Sequence, residues 1–184
     1  MSDAEKQKSH KRIIDAAARL FRTNGISATS VSDVMQAAGL TQGGFYRHFP
    51  SKEDLIAAAF ERSADELLSK TQRATQSETR ADYIATYLSL AHLKNRGQGC
   101  PFAANGAEVT RLGAGVRAEA SNAIDRISSM LNGAGDPAAD DGVATLALLV
   151  GTMTLARLAS SDAEASRIID AGRNAVIELD QGTD

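Results

Sequence analysis

The chain has 184 residues, of which 43% are hydrophobic and 23% are charged, and its formal net charge is −3. This composition is typical of a globular protein and argues against disorder. Alanine-rich stretches and only 3 prolines favour helices over sheets. The length suffices for one large core, or for a small domain joined to a larger one.

Charge is distributed unevenly along the chain. Up to Lys52 there are eight basic and four acidic residues, a net charge of +4, so the remainder carries −7. This asymmetry indicates an N-terminal part that faces an anion, joined to a more acidic body. The charge pattern by itself could also be explained by a solvated helix face.

Cysteine content and hydropathy bear on the compartment. The single cysteine, Cys100, excludes an intramolecular disulfide and fits a reducing, cytoplasmic compartment. The charged N-terminus lacks the apolar segment of a signal peptide. The most apolar run, residues 143–156, is too short to span a bilayer comfortably, so we predict a buried helix and no membrane contact.

The N-terminal segment is predicted to begin with two helices. Apolar residues at helical spacing predict a first helix in residues 9–24, which Gly25 ends. Ser30, with Asp33 three residues later, predicts the capped start of a short second helix, which Gly39 ends.

A third short helix is predicted in the segment TQGGFYRHF, with Thr41 as its cap. Pro50, with the capping pair Ser51 and Asp54, then begins a longer helix. Two short helices joined by a turn that contains glycine have the layout of a helix-turn-helix unit.

The paired glycines of this third helix need an explanation. Gly43 and Gly44 each cost about 1 kcal/mol in a helix relative to alanine, so something other than helix propensity favours them. A recognition helix enters the major groove of DNA with its N-terminal end, and glycine lets the backbone approach the duplex. Gln42 can pair bidentately with adenine. Phe45 and Phe49, four residues apart, are expected to anchor the helix to its own core.

Other polar residues of this region have the reach to contact DNA phosphates. Thr41, Tyr46 and His48 are suited to hydrogen bonds with phosphate oxygens, which set the register of the protein on DNA. Lys52, in the first turn of the next helix, can bind a phosphate together with the helix amides. A tight helical connection with ordinary surface residues would explain any one of these features, but their agreement on one geometry favours DNA binding.

Residues 9–55 resemble the DNA-binding domain of the TetR family of transcriptional regulators. The resemblance implies an all-α homodimer, with a three-helix helix-turn-helix domain in residues 1–54 and a helical effector-binding and dimerisation domain in residues 55–184. It implies a repressor that leaves a palindromic operator in double-stranded DNA when a small molecule or an electrophile binds. Carried over position by position, the DNA-facing residues are Thr29, Ser30, Thr41, Gln42, Gly43, Tyr46, His48 and Lys52.

The C-terminal part is predicted to be helical as well, with helices near 78–93, 101–112, 114–132, 142–159 and 162–179. The last two are the predicted dimer interface, because the first of them has little polar surface and a monomer would expose it. A two-fold protein also matches a palindromic operator. The alternative is that both helices are internal core.

Cys100 is the most informative residue of this part. Pro101 favours a first helical turn, which places the thiol at a helix N-terminus, where the macrodipole and the nearby Arg96 would lower its pKa and flanking glycines would give access. Such a thiol could sense electrophiles or oxidants. The Gly-Cys pair also resembles that of electrophile-responsive TetR-family members of the NemR type.

Two alternatives to a sensing thiol stay open. Cys100 could simply pack as a small hydrophobic residue. The effector could instead be a small, mostly apolar molecule that binds reversibly between helices. For such a pocket the candidate lining residues are Tyr83, Tyr87, His92, Phe102 and Met153, each of which could also be ordinary core.

Enzymatic motifs are absent from the sequence: it has no H-E-x-x-H, phosphate-binding loop, dinucleotide-binding turn or nucleophile elbow. Three histidines and one cysteine offer little for a metal cluster. We therefore expect no enzyme, no cofactor and no metal. A helical ligand-binding or interaction protein with a vestigial helix-turn-helix is the alternative to a regulator, and salt-dependent, sequence-selective DNA binding separates the two.

Overall fold

The computed structural model describes residues 2–77, 80–132 and 141–181, and all regular elements in these ranges are helical, as predicted. Two short 3₁₀ helices in these ranges span Gln42–Arg47 and Arg96–Gln98. The α-helices are α1 (Asp3–Asn24), α2 (Val31–Ala37), α3 (Lys52–Ser77), α4 (Arg80–Tyr87), α5 (Leu90–Lys94), α6 (Pro101–Val109), α7 (Ala114–Leu131), α8 (Asp141–Ala156) and α9 (Asp162–Gln181).

Local sequence signals set the ends of the first helices. Gly25 ends α1 with a φ of 91°, in the left-handed region that favours glycine. The predicted capping box of α2 is confirmed: the Ser30 hydroxyl accepts a hydrogen bond from the Asp33 backbone, and the Asp33 carboxylate accepts one from the Ser30 backbone. The pair Ser51 and Asp54 also forms, with 2.7 Å between hydroxyl and carboxylate.

Two of the predicted helices differ in detail from the structure. The segment after Thr41 is a 3₁₀ helix rather than an α-helix, since its paired glycines favour α-helix weakly, and the Thr41 side chain makes no capping hydrogen bond. The helix predicted near 78–93 is interrupted within its described part, between Tyr87 and Leu90. There the Ser89 side chain caps α5 by accepting a hydrogen bond from the His92 backbone. Residues 78–79 lie outside the described ranges.

The helices enclose two apolar cores, and α3 contributes to both. The first core joins α1, α2 and the Gln42–Arg47 helix to the first half of α3, through residues such as Ile13, Val34, Phe45 and Leu55. The second core joins the next part of α3 to α4, α7, α8 and α9. The predicted boundary at 54/55 therefore falls in the first turn of a helix that the two cores share.

The C-terminal helices α8 and α9 pack against each other and, through α8, against α7. Most of the break predicted at 132–142 lies outside the described ranges. No helix in those ranges is both long and apolar enough to cross a membrane.

Candidate nucleic-acid interface and effector cavity

The Gln42–Arg47 helix presents polar side chains to solvent while two rings hold it in place. Phe45 and Phe49 are 2% and 4% exposed and stack with ring centroids 5.9 Å apart, which confirms their predicted anchoring role. Gln42 is exposed, and the Tyr46 ring is 79% exposed. A side chain added at Gly43 would meet no atom within 4 Å, so this glycine leaves open space on the outer face of the helix.

His48 lies at the end of this helix and is half-buried. Its Nδ1 is buried and has no hydrogen-bond partner among the described residues. Its ring centroid lies 5.9 Å from that of His10, which stacks on Phe49 at 4.6 Å. Burial lowers the pKa of His48, and the neighbouring cationic groups of His10, Lys6 and Arg47 lower it further. An anion such as a phosphate would relieve this crowding of positive charge.

Two of the predicted DNA-facing residues also make contacts inside the protein. Thr29 is only 1% exposed, and its hydroxyl donates a 2.7 Å hydrogen bond to the Gly25 carbonyl. The Lys52 ammonium donates a 3.1 Å hydrogen bond to the Ile26 carbonyl. Sequence reasoning did not anticipate these bonds: the Thr29 bond lies within the turn after α1, and the Lys52 bond ties that turn to the start of α3. Ser30 and Thr41 are exposed at the N-terminal ends of α2 and the Gln42–Arg47 helix.

Family and sequence comparisons agree with this geometry. The sequence model of "Bacterial regulatory proteins, tetR family" matches residues 13–59, the helices just described. The helix-turn-helix segment of this chain is thus similar to the DNA-binding domain of TetR-family regulators. The resemblance predicted from the sequence is thereby confirmed.

Curated HTH-type regulators match a part of the chain. The transcriptional regulator AcrR of Shigella flexneri is 42% identical over 59 residues, which are 32% of this chain and 27% of that protein. The regulator TtgR of Pseudomonas putida is 36% identical over 78 residues, or 42% of this chain and 37% of that protein. The chain thus spans about a quarter to two-fifths of the length of these relatives.

Solved structures extend the fold likeness beyond the TetR DNA-binding domain. A TetR regulator from Chloroflexus aurantiacus superposes with a TM-score of 0.72 at 22% identity, over 97% of both chains. The reduced form of Escherichia coli NemR gives a TM-score of 0.72 at 21% identity, over 90% of this chain and 95% of that one. At such identities the likeness shows the fold alone, an N-terminal helix-turn-helix followed by a helical C-terminal domain.

In this TetR-like chain a cavity of about 360 Å³ lies among α3, α4, α5 and the Arg96–Gln98 helix. Three of the predicted effector residues, Tyr83, Tyr87 and His92, line it. The His92 Nδ1 donates a 2.6 Å hydrogen bond to the Tyr87 carbonyl. The remaining lining residues, missed by sequence reasoning because they carry no ligand signature, are Leu67, Lys70, Thr86, Ser89, Ala91, Asn95 and Gln98.

The other two predicted pocket residues do not line this cavity. Met153 is 0% exposed within the second core. Phe102 packs edge-on against Phe60, with ring centroids 5.3 Å apart. Their positions are those of core residues in the described structure.

The environment of Cys100 differs from the prediction. The residue does precede the first turn of α6, with Pro101 at the helix start, but it is fully buried rather than accessible. Burial raises the pKa of the thiol, although the neighbouring Tyr87 hydroxyl, the backbone N–H groups of Ala103 and Phe102 and the charge of Arg157 act in the opposite direction. The predicted lowering of the pKa was therefore wrong, because desolvation outweighs the helix N-terminus.

Arg157 and Tyr87 leave polar atoms without partners beside this thiol. The Nε and Nη2 atoms of Arg157 and the Tyr87 hydroxyl are buried and have no hydrogen-bond partner of ordinary geometry among the described residues. Burial lowers the pKa of Arg157. Within the described ranges, His, Cys, Asp and Glu side chains form no group that could hold a metal ion.

Proposed function

We propose that the protein is a DNA-binding transcriptional regulator, a repressor that binds a palindromic operator as a homodimer and is released by a small-molecule effector. The exposed polar face on Gln42–Arg47, anchored by buried Phe45 and Phe49, carries the proposal. A vestigial helix-turn-helix would not need the poorly helix-forming Gly43 on its open outer face. The match of residues 13–59 to a family of regulators supports the same conclusion and gives no support to an enzyme.

In the proposed complex, Gln42 reads a base edge in the major groove and Gly43 lets the backbone approach. Thr41, Tyr46, His48 and Lys52 bind phosphates, which fix the register. Ser30 adds a phosphate contact at the N-terminus of α2. Buried Thr29 would support the turn before α2 rather than touch DNA.

The homodimer is proposed to form through α8 and α9. Their exposed apolar side chains include Val143, Leu155 and Ile177, and Leu158, two residues after the end of α8, is 78% exposed. Burying such residues against a second copy removes apolar surface from water. Replacing Leu155 with lysine should shift sedimentation from a dimer towards a monomer, whereas an unchanged dimer would move the interface elsewhere.

The effector is proposed to be a small molecule of mixed polarity that fits the 360 Å³ cavity, against aromatic walls and a few hydrogen-bonding groups. An electrophile acting on Cys100 is the second candidate. Its buried thiol would have to become exposed first, which favours the reversible ligand. A cytoplasmic location, with no cofactor or metal, belongs to the same proposal.

The proposal is tested by fluorescence anisotropy with DNA from immediately upstream of the protein's own gene. Gln42→Ala should cost about 1–3 kcal/mol of discrimination at one base pair. Lys52→Ala should weaken binding to all sequences alike and reduce the salt slope by about 1. Equal, sequence-independent binding by all three proteins would refute a sequence-reading role for this helix.

The same assay separates the two kinds of effector. Titrating the complex with N-ethylmaleimide should leave both the wild type and Cys100→Ser bound to DNA if the effector is a reversible ligand. Release of the wild type alone would make Cys100 the sensor and favour the electrophile.

A further inference from the structure

Glu108, near the end of α6, holds the turn that precedes α2. Its two carboxylate oxygens accept hydrogen bonds from the backbone N–H groups of Ile26 at 2.9 Å and Ser27 at 2.8 Å. Burial would raise the pKa of this carboxyl, but the two backbone bonds outweigh it and hold the pKa below its usual value. Gly25 gives the carboxylate room, since a Cβ there would lie 3.2 Å from a Glu108 oxygen.

The turn held by Glu108 also positions the proposed DNA-contacting residues. The Ile26 carbonyl accepts the hydrogen bond from the Lys52 ammonium, and the Gly25 carbonyl accepts the one from Thr29. Ser30, the N-cap of α2, follows directly. A displacement of this turn would therefore move a proposed phosphate contact at each end of the helix-turn-helix.

Asn105 provides a second bond from the same helix. It is 4% exposed, and its Nδ2 donates a 2.8 Å hydrogen bond to the carbonyl of Phe21 in the last turn of α1. Residues three apart lie on one face of a helix. One face of α6 thus forms hydrogen bonds with both the end of α1 and the turn after α1.

The opposite end of α6 is separated from the proposed effector cavity by Tyr87. The N-cap of α6, Cys100, is packed beside Tyr87, which lines the cavity, and Gln98, two residues before Cys100, lines it as well. The nine residues of α6 span about 13 Å. A short helix moves as a rigid element, so a shift at Cys100 is carried to Glu108.

We propose that Glu108 is a positioning residue for DNA binding, which relays the state of the cavity through α6 to the turn before α2. This inference rests on the proposed function. A ligand that displaces Tyr87 or Gln98 would move α6. The hydrogen bonds from Ile26 and Ser27 to Glu108 would transmit that movement to the turn before α2. Without the carboxylate, the cavity and the DNA interface should respond independently.

A double-mutant cycle on DNA affinity tests the relay. Ala91→Trp fills the cavity from an exposed position on α5 and serves as the probe in place of a ligand. Glu108→Gln keeps the side-chain shape but removes the charge and one acceptor. We expect Ala91→Trp to weaken operator binding about tenfold in the wild-type background, within the usual range of coupling between sites. In the Glu108→Gln background the same change should weaken it by no more than about twofold.

Additive effects of the two substitutions, or no effect of Ala91→Trp in either background, would overturn the relay. Absence of sequence-selective DNA binding by the wild type would instead refute the proposed function. Failure of the relay and failure of the proposed function therefore give different results. Glu61→Gln is the matched control, an exposed glutamate on α3 that should leave the effect of Ala91→Trp unchanged.

Folding is checked by circular dichroism and thermal unfolding for every variant. If Glu108→Gln does not fold, Glu108→Asp replaces it, since the shorter carboxylate keeps the charge but cannot reach both amides equally. A merely structural Glu108 would lower Tm without changing the coupling between the cavity and DNA affinity.

Discussion

The two ends of the molecule use their distinctive residues in opposite ways. At the proposed DNA-binding end, Gln42 and Tyr46 are exposed on a helix whose apolar face is buried. At the proposed effector end, Cys100 and Met153 are fully buried, and of the effector residues predicted from the sequence only Tyr83, Tyr87 and His92 line the cavity. A surface that reads DNA must offer polar groups outward, whereas a cavity for a small molecule is built from the core itself.

This difference teaches how far a local pattern determines a site. The proposed DNA interface depends on caps, glycines and ring spacing between Gly25 and Lys52. The cavity and the Glu108 contact depend on residues from helices that are distant in sequence. Four experiments test this difference between the two ends, and they are given in order of decreasing expected effect.

The largest effect is expected from truncating an anchor at each end. Phe45→Ala should cost about 3–5 kcal/mol of unfolding free energy and Met153→Ala about 2–5 kcal/mol, because both leave cavities in packed cores. Urea denaturation measures the two losses. Phe45→Ala should also abolish DNA binding under conditions in which Met153→Ala remains folded and bound. Equal DNA binding by both variants would remove the distinction between the two ends.

The bond network between the ends should give the next largest effect. Arg22, with its side chain 4% exposed, forms an ion pair with Glu66 at 2.9 Å and donates a 3.0 Å hydrogen bond to the Gly97 carbonyl. Glu66→Ala should destabilise the fold by about 2–3 kcal/mol, since it leaves a buried guanidinium without its carboxylate. Lys94→Ala, which breaks an exposed pair with Asp162, is the control and should cost less than about 1 kcal/mol. Similar losses in the two variants would contradict the buried character of the Arg22 pair.

The accessibility of Cys100 can be measured directly. Because the thiol is buried and its pKa is raised, its reaction with Ellman's reagent in the native protein should be at least about a hundredfold slower than in guanidinium chloride. The labelling rate in both conditions provides the check. Rapid native labelling would show an accessible thiol and make the effector end resemble a reactive sensor.

The smallest effect is expected from pH. Burial lowers the pKa of both His48 and His92, so the folded state binds fewer protons than the unfolded state near their usual pKa of about 6.5. Stability should therefore be highest above that pH and fall as the pH drops through the lowered values. Urea midpoints between pH 7.5 and 5.5 test the direction. His48→Gln and His92→Gln should each flatten part of the slope, and an unchanged slope in both would place the proton uptake elsewhere.

Sequence reasoning predicted the helix-turn-helix well because its signals are local. Ser30 with Asp33, Gly25 and the Phe45–Phe49 pair each act within one turn of helix, so neighbouring residues suffice to identify them. Contacts between residues that are distant in sequence could not be predicted in this way. Asn105 and Glu108 stand out only as two polar residues three apart in an otherwise apolar helix, and nothing in the sequence names Phe21 or Ile26 as their partners.

By itself, the sequence determined the all-helical class, the caps and glycine stops of the N-terminal helices, and the face that Gln42 and Tyr46 share. These follow from propensity, periodicity and hydrogen bonds between near neighbours. Only the tertiary structure decided that Cys100 is buried with a raised pKa, that Tyr87 and His92 border a cavity, and that Glu108 holds the turn before α2. Burial and long-range hydrogen bonds depend on which helices pack together, and desolvation at Cys100 exceeds the local influence of its helix N-terminus.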